Sequence, residues 1–230
     1  MNKYVLYRIK GISHNQRSEH GKITFDLFSV KLSGYNKHFG NKYMPIDIYD
    51  YFATHFLLYK EEYENKELIP IACVRSIRYE DCFKNDIEFL PITRVKNSNK
   101  RLLSTIQNEI KKDKRISYDS GLTIVSDLLV FKEIYQVLNY MMGIMLNYHI
   151  ENKDKMFLIT AVEKTKTDKL FKKIGFSELI DNASYNLHGW SNEGKFFIFN
   201  YTNGNQESKK IILDSKKIWD EHLNIKKDRI

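Results

Sequence analysis

The sequence predicts an α/β fold of the α+β kind, a single domain over residues 1–230, and three observations predict it. The stretch 126–176 parses as the end of a buried strand, a long helix, a second buried strand, a short helix and a glycine stop, which is a βαβ unit. Its second strand, 155–162 (KMFLITAV), is apolar at alternate and intervening positions alike, as a strand covered on both faces of a partly parallel sheet must be. Upstream, two β-rich runs flank the polar EEYENKE and read as an antiparallel hairpin, so the sheet is mixed.

The totals narrow the partners. With 42% apolar and 13% aromatic residues the chain can bury a substantial core. A net charge of +8 and a pI near 9.2 favour anionic partners: nucleic acid, an anionic lipid surface, a phosphorylated cofactor or an acidic carrier protein. Two cysteines, Cys73 and Cys82, are too few for a disulfide framework and wrongly spaced for zinc. The start, MNKYVLYRIKG, has no apolar run behind its basic residues, which points to a cytoplasmic protein. Residues 134–150 carry no formal charge, yet the run falls short of a membrane span and reads as a buried helix.

In order along the chain, residues 3–10 (KYVLYRIK) have the aromatic and β-branched content of a strand. The polar GISHNQRSEHG reads as a loop, and Ile23, Leu27, Phe28, Val30 and Leu32 then suit a helix over 23–35, interrupted at Gly34. Asp47 and Asp50 stand just before the hairpin strands, 53–60 and 68–79, which require Pro70 at a strand start or an edge. Arg75 and Arg78, an odd number of residues apart, point to opposite faces. Residues 89–121 form a charged connection with an amphipathic helix over 101–112, striped by Leu102, Leu103, Ile106 and Ile110 and closed by the solvated run KKDKR. A strand over 121–130 leads into the long helix. Thr165 and Asp168 resemble a capping box for the short helix, Leu170, Phe171 and Ile174 form its apolar face, and Gly175 with Phe176 closes it. Strands over 185–190 and 195–202 flank the turn SNEG. A final helix from Ser215 carries Ile218, Trp219, His222 and Leu223 on one side and packs across the sheet.

This order of elements resembles the acyltransferases of the GNAT superfamily, and DKLFKKIGF at 168–176 is similar to that family's helix-to-strand segment before the sixth strand. DLFSVKLSGYNKHFG, DIYDYFATHFLLYK, IPIACVRSIRY and GLTIVSDLLVFK are similar in order and spacing to the acyl-homoserine-lactone synthases and long-chain N-acyl amino acid synthases. The resemblance implies a mixed, mostly antiparallel central sheet flanked by helices, with a parallel splayed strand pair. It also implies acyl transfer from acyl-CoA or acyl-acyl carrier protein. Asp47 and Asp50 fall where that subgroup carries acidic residues, and Arg75 where it carries an arginine, a cluster that binds and orients the amine-bearing acceptor. The subgroup's glutamate-x-serine-arginine becomes Ile124, Val125, Ser126 and Asp127. The family's phosphate loop is replaced by VFKEIYQ, which makes Leu129, Val130, Phe131, Lys132 and Gln136 the candidate cofactor contacts. Its glycines, whose bare N–H groups approach a pyrophosphate, are missing. The family's tyrosine near the short helix is Phe171 here.

The chemistry that follows is attack of an amine on a thioester, which needs a polarised carbonyl and a neutral amine. Asp127 is the candidate base and Asp50 the alternative. The splayed pair, 121–130 with 155–162, would hold the acyl-pantetheine arm, and Met141, Met142 and Met145 either line an acyl slot or fill the core. Lys169, with Lys164, Lys166, Lys172 and Lys173, offers a basic face to cofactor phosphates or an acidic acyl carrier protein. A catalytically silent GNAT-like domain binding a ligand or protein partner is the alternative, motivated by the missing glycines and the missing acid. Nucleic acid is disfavoured by the lack of interleaved basic and aromatic residues. No metal is expected, because the seven histidines are scattered without ligand spacing.

Overall fold

The computed structural model describes residues 3–13, 15, 17–39, 46–162, 167–186, 193–200 and 204–225. The chain divides into two compact units, each drawn from separated stretches: residues 1–76, 121–147 and 211–230 form the first, and 77–120 with 148–210 the second.

The first unit is built on the hairpin. Strands β2 (Thr54–Glu61) and β3 (Leu68–Arg78) pair antiparallel, with β1 (Lys3–Lys10) antiparallel on the far side of β2. Pro70 is tolerated near the start of β3 because the ladder slips there, between Leu58↔Ala72 and Tyr59↔Pro70, where a missing N–H costs no bond. A short strand, β9 (Leu223–Ile225), lies parallel to β1. Helix α1 (Glu19–Phe39) buries Ile23, Leu27 and Val30 against Ile9, Leu57 and Tyr59. It starts earlier than the apolar stripe predicts, because Ser18 Oγ accepts from Gly21 N at 3.0 Å and caps it. It also runs straight through Gly34: a Cβ there would sit 2.1 Å from Thr123 Cγ2, so the glycine admits a neighbour and does not break the helix.

Strand β4 (Ile116–Ile124) corrects the expected 121–130; residues Ser126–Leu128 form a 3₁₀ turn. Its second half belongs to the first unit and leaves beside β3, where Val125 N donates to Ile71 O at 2.8 Å. Gly121, in the middle of the strand, has φ +69°, a conformation open to glycine. The strand hid from its hydropathy because Ser117 and Asp119 are polar yet fully buried. Helix α5 (Phe131–Glu151) follows, with Met141, Met142 and Met145 in the core. Helix α7 (Gln206–Asp220) begins nine residues before the expected Ser215, which is buried within it and bonded at 3.0 Å to Asn147 of α5.

In the second unit β5 (Met156–Val162) runs parallel to the first half of β4, in register from Ile116↔Met156 to Asp119↔Ile159, where the ladder ends. On its other side β5 pairs antiparallel with β8 (Glu193–Asn200), which also takes the short strands β6 (Ser177–Glu178) and β7 (Tyr185–Asn186). Helix α6 (Thr167–Ile174) ends as predicted: Gly175 has φ +102° and Phe176 N reaches back to Phe171 O at 2.9 Å. Phe171 and Phe176 pack with Phe157, Phe197 and Phe199 into an aromatic core. Two short helices that periodicity did not reveal, α2 (Tyr79–Lys84) directly after β3 and α3 (Leu90–Val95) within the charged connection, precede α4 (Lys100–Lys112), which presents its apolar stripe. Among the described residues no helix is long and apolar enough to cross a membrane. Thr165, Lys164, Lys166, the first two residues of SNEG and the ends of the two strands around it lie outside the described residues, whereas Glu193 and Gly194 already belong to β8, two residues before the expected start at 195.

Candidate active site

Asp47 and Asp50 meet because a 3₁₀ turn, Ile48–Tyr51, carries both carboxylates inward. The turn is self-capped: Asp47 accepts from Tyr49 N at 3.0 Å, and Asp50 Oδ2 accepts from Asp47 N at 2.9 Å. Arg75 of β3 then forks onto them. Its Nη1 and Nη2 donate to the two oxygens of Asp47 at 2.6 and 2.7 Å, and Nη1 also lies 2.8 Å from Asp50 Oδ1. Lys31, on the inner face of α1, donates to the same Asp50 Oδ1 at 2.5 Å. The result is a row of alternating charges, Lys31, Asp50, Arg75 and Asp47, in which all but Asp47 are buried.

The electrostatics give these carboxylates different tasks. Burial alone would raise the Asp50 pKa, but Arg75 and Lys31 outweigh it and hold the group far below the carboxylate range. With every oxygen engaged and the charge locked on, Asp50 is an anchor and a poor base. Burial and the nearby Arg75 lower the Lys31 pKa against the pull of Asp50. His55, opposite Arg75 in the β2–β3 register, is pushed down to about 3 by burial and then by Lys31. Its imidazole is therefore neutral, and Nε2 donates to Asp50 O at 3.1 Å. Asp47 differs: its side chain is 42% exposed, so a carboxylate pinned by Arg75 on one side stays open to a cation on the other.

Asp127 sits on the 3₁₀ turn after β4 with its side chain 74% exposed, in an ion pair with Lys37. The Lys37 hydrogen bond, then its charge, lowers the Asp127 pKa. Leu129 is half-buried at the start of α5, while Val130, Phe131 and Lys132 are exposed, and exposed Gln136 bonds to Tyr140 at 2.8 Å. The first turn of α5 already holds an anion. Glu133 accepts from Val130 N at 3.2 Å and is itself clamped by Lys60 at 3.0 Å to each oxygen. A helix start normally attracts phosphate, and here a resident carboxylate competes for that role. Lys169 is exposed on α6, whereas Lys172 and Lys173 are paired with Glu178 and Glu207.

The second unit contains a buried ionic network that the sequence reading missed. His149 Nε2 lies 2.8 Å from Asp119 and Nδ1 2.8 Å from Asp154, which Arg78 also reaches at 3.1 Å. Burial would lower the His149 pKa, but the two aspartates raise it to about 9, so the ring is an imidazolium stacked on Phe157 at 4.1 Å. Ser117 Oγ stands 3.2 Å from Nδ1, the outline of a serine–histidine–aspartate arrangement. All three side chains are sealed from solvent and the histidine is charged, so the group pins the unit and offers no nucleophile. A signal for both missed residues was present: Lys31 falls four positions after Leu27 and His149 four after Met145, each on an apolar helix stripe where a polar group needs a buried partner. Among the described residues no cluster of histidine, cysteine and acidic side chains is arranged to hold a metal.

No protein-family model and no curated protein matches the sequence. Solved structures do match the fold. FeeM, an N-acyl amino acid synthase from uncultured soil microbes, is similar at TM-score 0.60 and 12% identity, over 91% of this chain and 98% of that one. BjaI, a CoA-dependent acyl-homoserine lactone synthase solved with SAM and isopentyl-CoA, is similar at TM-score 0.60 and 10% identity, over 99% and 96%. An acyl-CoA N-acyltransferase from Pseudomonas aeruginosa is similar at TM-score 0.50 and 8% identity, over 86% and 99%. At such identities the likeness is one of fold: the chain shares with these proteins the mixed, mostly antiparallel sheet flanked by helices that its element order implied.

Proposed function

We propose that this protein is an N-acyltransferase that moves an acyl group from an acyl thioester, carried by coenzyme A or an acyl carrier protein, to the amine of a small molecule such as an amino acid. The observation that carries the reading is the Lys31–Asp50–Arg75–Asp47 row, in which three buried charges immobilise a fourth that faces solvent. Such a carboxylate is suited to seat an ammonium group, since its geometry is fixed before the ligand arrives. The similarity in fold to thioester-using synthases supports the donor class.

In this reading Asp47 receives the acceptor's ammonium, and Arg75 and Asp50 position it. The ammonium gives one proton to bulk water, and the free amine attacks the thioester carbonyl; a C–N bond forms as the C–S bond breaks, and the second proton of the nitrogen passes to the departing thiolate, leaving an amide and a thiol. Asp127, its pKa depressed by Lys37, serves better as a second contact for a cation than as a proton acceptor. Lys132, Leu129, Val130, Phe131, Gln136 and Lys169 are the proposed contacts of the donor. The two free cysteines, both buried, and the dependence on a thioester fit a reducing cytoplasm.

The test is thiol release from a panel of acyl-CoAs and acyl-carrier proteins, each offered a panel of amines. Amine-dependent release, with an N-acylated product by mass spectrometry, is expected. Donor binding without any amine-dependent release would leave a silent binding domain in place of an enzyme.

A further inference from the structure

We propose that the chain pairs with a second copy of itself through the exposed ring of Phe83, in a two-fold contact made by the second unit. Phe83 lies on α2 with 72% of its surface exposed, and among the described residues it is the most exposed large apolar side chain of that unit. A hollow flanks it on each side. One, of about 240 Å³, is lined by Tyr79, Glu80, Phe83, Lys84 and Lys114, and the other, of about 490 Å³, by Phe83, Asp86, Ile87 and Glu88. A cavity of roughly 150 Å³ accepts a benzene ring, so either hollow has room for the phenyl group of a partner. The turn that ends α2 fixes what stands beside the ring. Asp86 takes the left-handed position at φ +53°, its N–H donates to Phe83 O at 3.3 Å, and Ile87 N–H donates to Cys82 O at 3.0 Å.

The charges on the two sides of the ring are opposite. Lys84 and Lys114 are exposed and make no ion pair among the described residues; Lys114 Nζ stands over the Phe83 ring at 5.8 Å. Glu80 beside them lies 3.9 Å from Arg78. On the far side Asp86 is exposed and makes no ion pair among the described residues, while Glu88 is neutralised by Lys96 at 2.6 Å. One hollow therefore carries an uncompensated positive charge and the other an uncompensated negative one, with an apolar ring between them. Such a patch is complementary to itself. A two-fold contact uses the same surface on both copies, and an axis beside Phe83 lays the Lys84–Lys114 side of each copy on the Asp86 side of the other. Each ring then enters a hollow of its partner, giving an apolar centre with a charged rim. A lipid surface or a nucleic acid, of one sign throughout, matches only half of the patch.

Sedimentation equilibrium of the full chain, from roughly micromolar to millimolar concentration, tests the contact without requiring turnover. A monomer–dimer equilibrium is expected, and Phe83→Ser should weaken it by about thirty-fold or more, as loss of an aromatic anchor does. Lys84→Glu with Lys114→Glu in one chain, and Asp86→Lys in another, each set like charges against one another twice per dimer and should weaken it by about ten-fold or more. Mixed one to one, these two chains should recover the dimer, because each then meets its complement on both sides of the axis. All the substituted side chains are exposed, and lysine already occupies left-handed positions at Lys66 and Lys153, so the melting temperatures should stay near that of the parent chain. A chain that remains monomeric at every concentration would overturn the proposal and leave the patch to a different partner. A dimer indifferent to Phe83→Ser, or folded charge variants that do not recover on mixing, would overturn it as well.

Discussion

Asp47 and Asp50 are three residues apart, yet they should respond to mutation in opposite ways. Asp50→Asn strands Lys31 and Arg75 as buried charges without a full counter-ion, a loss on the order of 3–5 kcal/mol that urea unfolding should read directly. Asp47→Asn weakens a bidentate pair but leaves Arg75 with Asp50 as counter-ion, and should cost less, about 1–2 kcal/mol. Its effect should fall instead on catalysis, as a KM for the amine raised about ten- to a hundred-fold with the fold intact. A variant of Asp47 with unchanged KM would remove it from acceptor binding.

At the scale of elements, two helix positions pit local preference against contact. Gly143 lies inside α5, where alanine is intrinsically better by about 1 kcal/mol. A Cβ there would stand 2.3 Å from Ile211 O of α7 and 2.3 Å from Ser215 Oγ, and backbone cannot yield cheaply. Gly143→Ala is therefore expected to destabilise by about 1–3 kcal/mol in thermal melts, the overpacking term winning over propensity. Glu133 poses the second conflict. Its carboxylate favours the α5 N-terminus but repels a phosphate there. Glu133→Gln should cost about 1 kcal/mol of stability or less, while lowering the KM for an acyl-CoA donor, and by less that for an acyl carrier protein, whose pantetheine arm carries a single phosphate. An unchanged KM for both donors would place the phosphates elsewhere.

For the whole molecule, each unit carries its own titration limit. In the first, His55 titrates near 3 in the fold against about 6.5 when unfolded, so its contribution is complete above pH 6.5 and is lost as pH falls toward 3. Asp50, also depressed, extends that acid loss. In the second, His149 is raised from 6.5 to about 9, so its stabilisation is complete below pH 6.5 and disappears as pH rises through 9, a change on the order of 3 kcal/mol. Thermal melts across pH 3–10 should show both limbs, with His55→Gln flattening the acid one and His149→Gln the alkaline one. Limited proteolysis should cut the first unit first in acid and the second first in alkali.

What could be read in the chain follows the range of the interactions. The β2–β3 hairpin, α5, and α6 with its Gly175 stop were legible because periodicity and capping are set by residues a few positions apart. Strand β4 was misplaced because its buried face is polar: Ser117 and Asp119 look solvated until His149 arrives from α5 to bond them. The start of α7 was missed because Ser208 and Ser215 break its apolar stripe, although both are buried. In the candidate site Asp47, Asp50 and Arg75 could be picked from the chain, but Lys31 and His55 could not. The sequence by itself determined the order and type of the elements and the excess of positive charge, all local or summed quantities. Only the tertiary structure decided which charges are buried together, because helix packing and strand register bring Lys31, His55 and Arg75 onto Asp50 from distant stretches of chain, and at that contact burial and Coulomb attraction set each group's state.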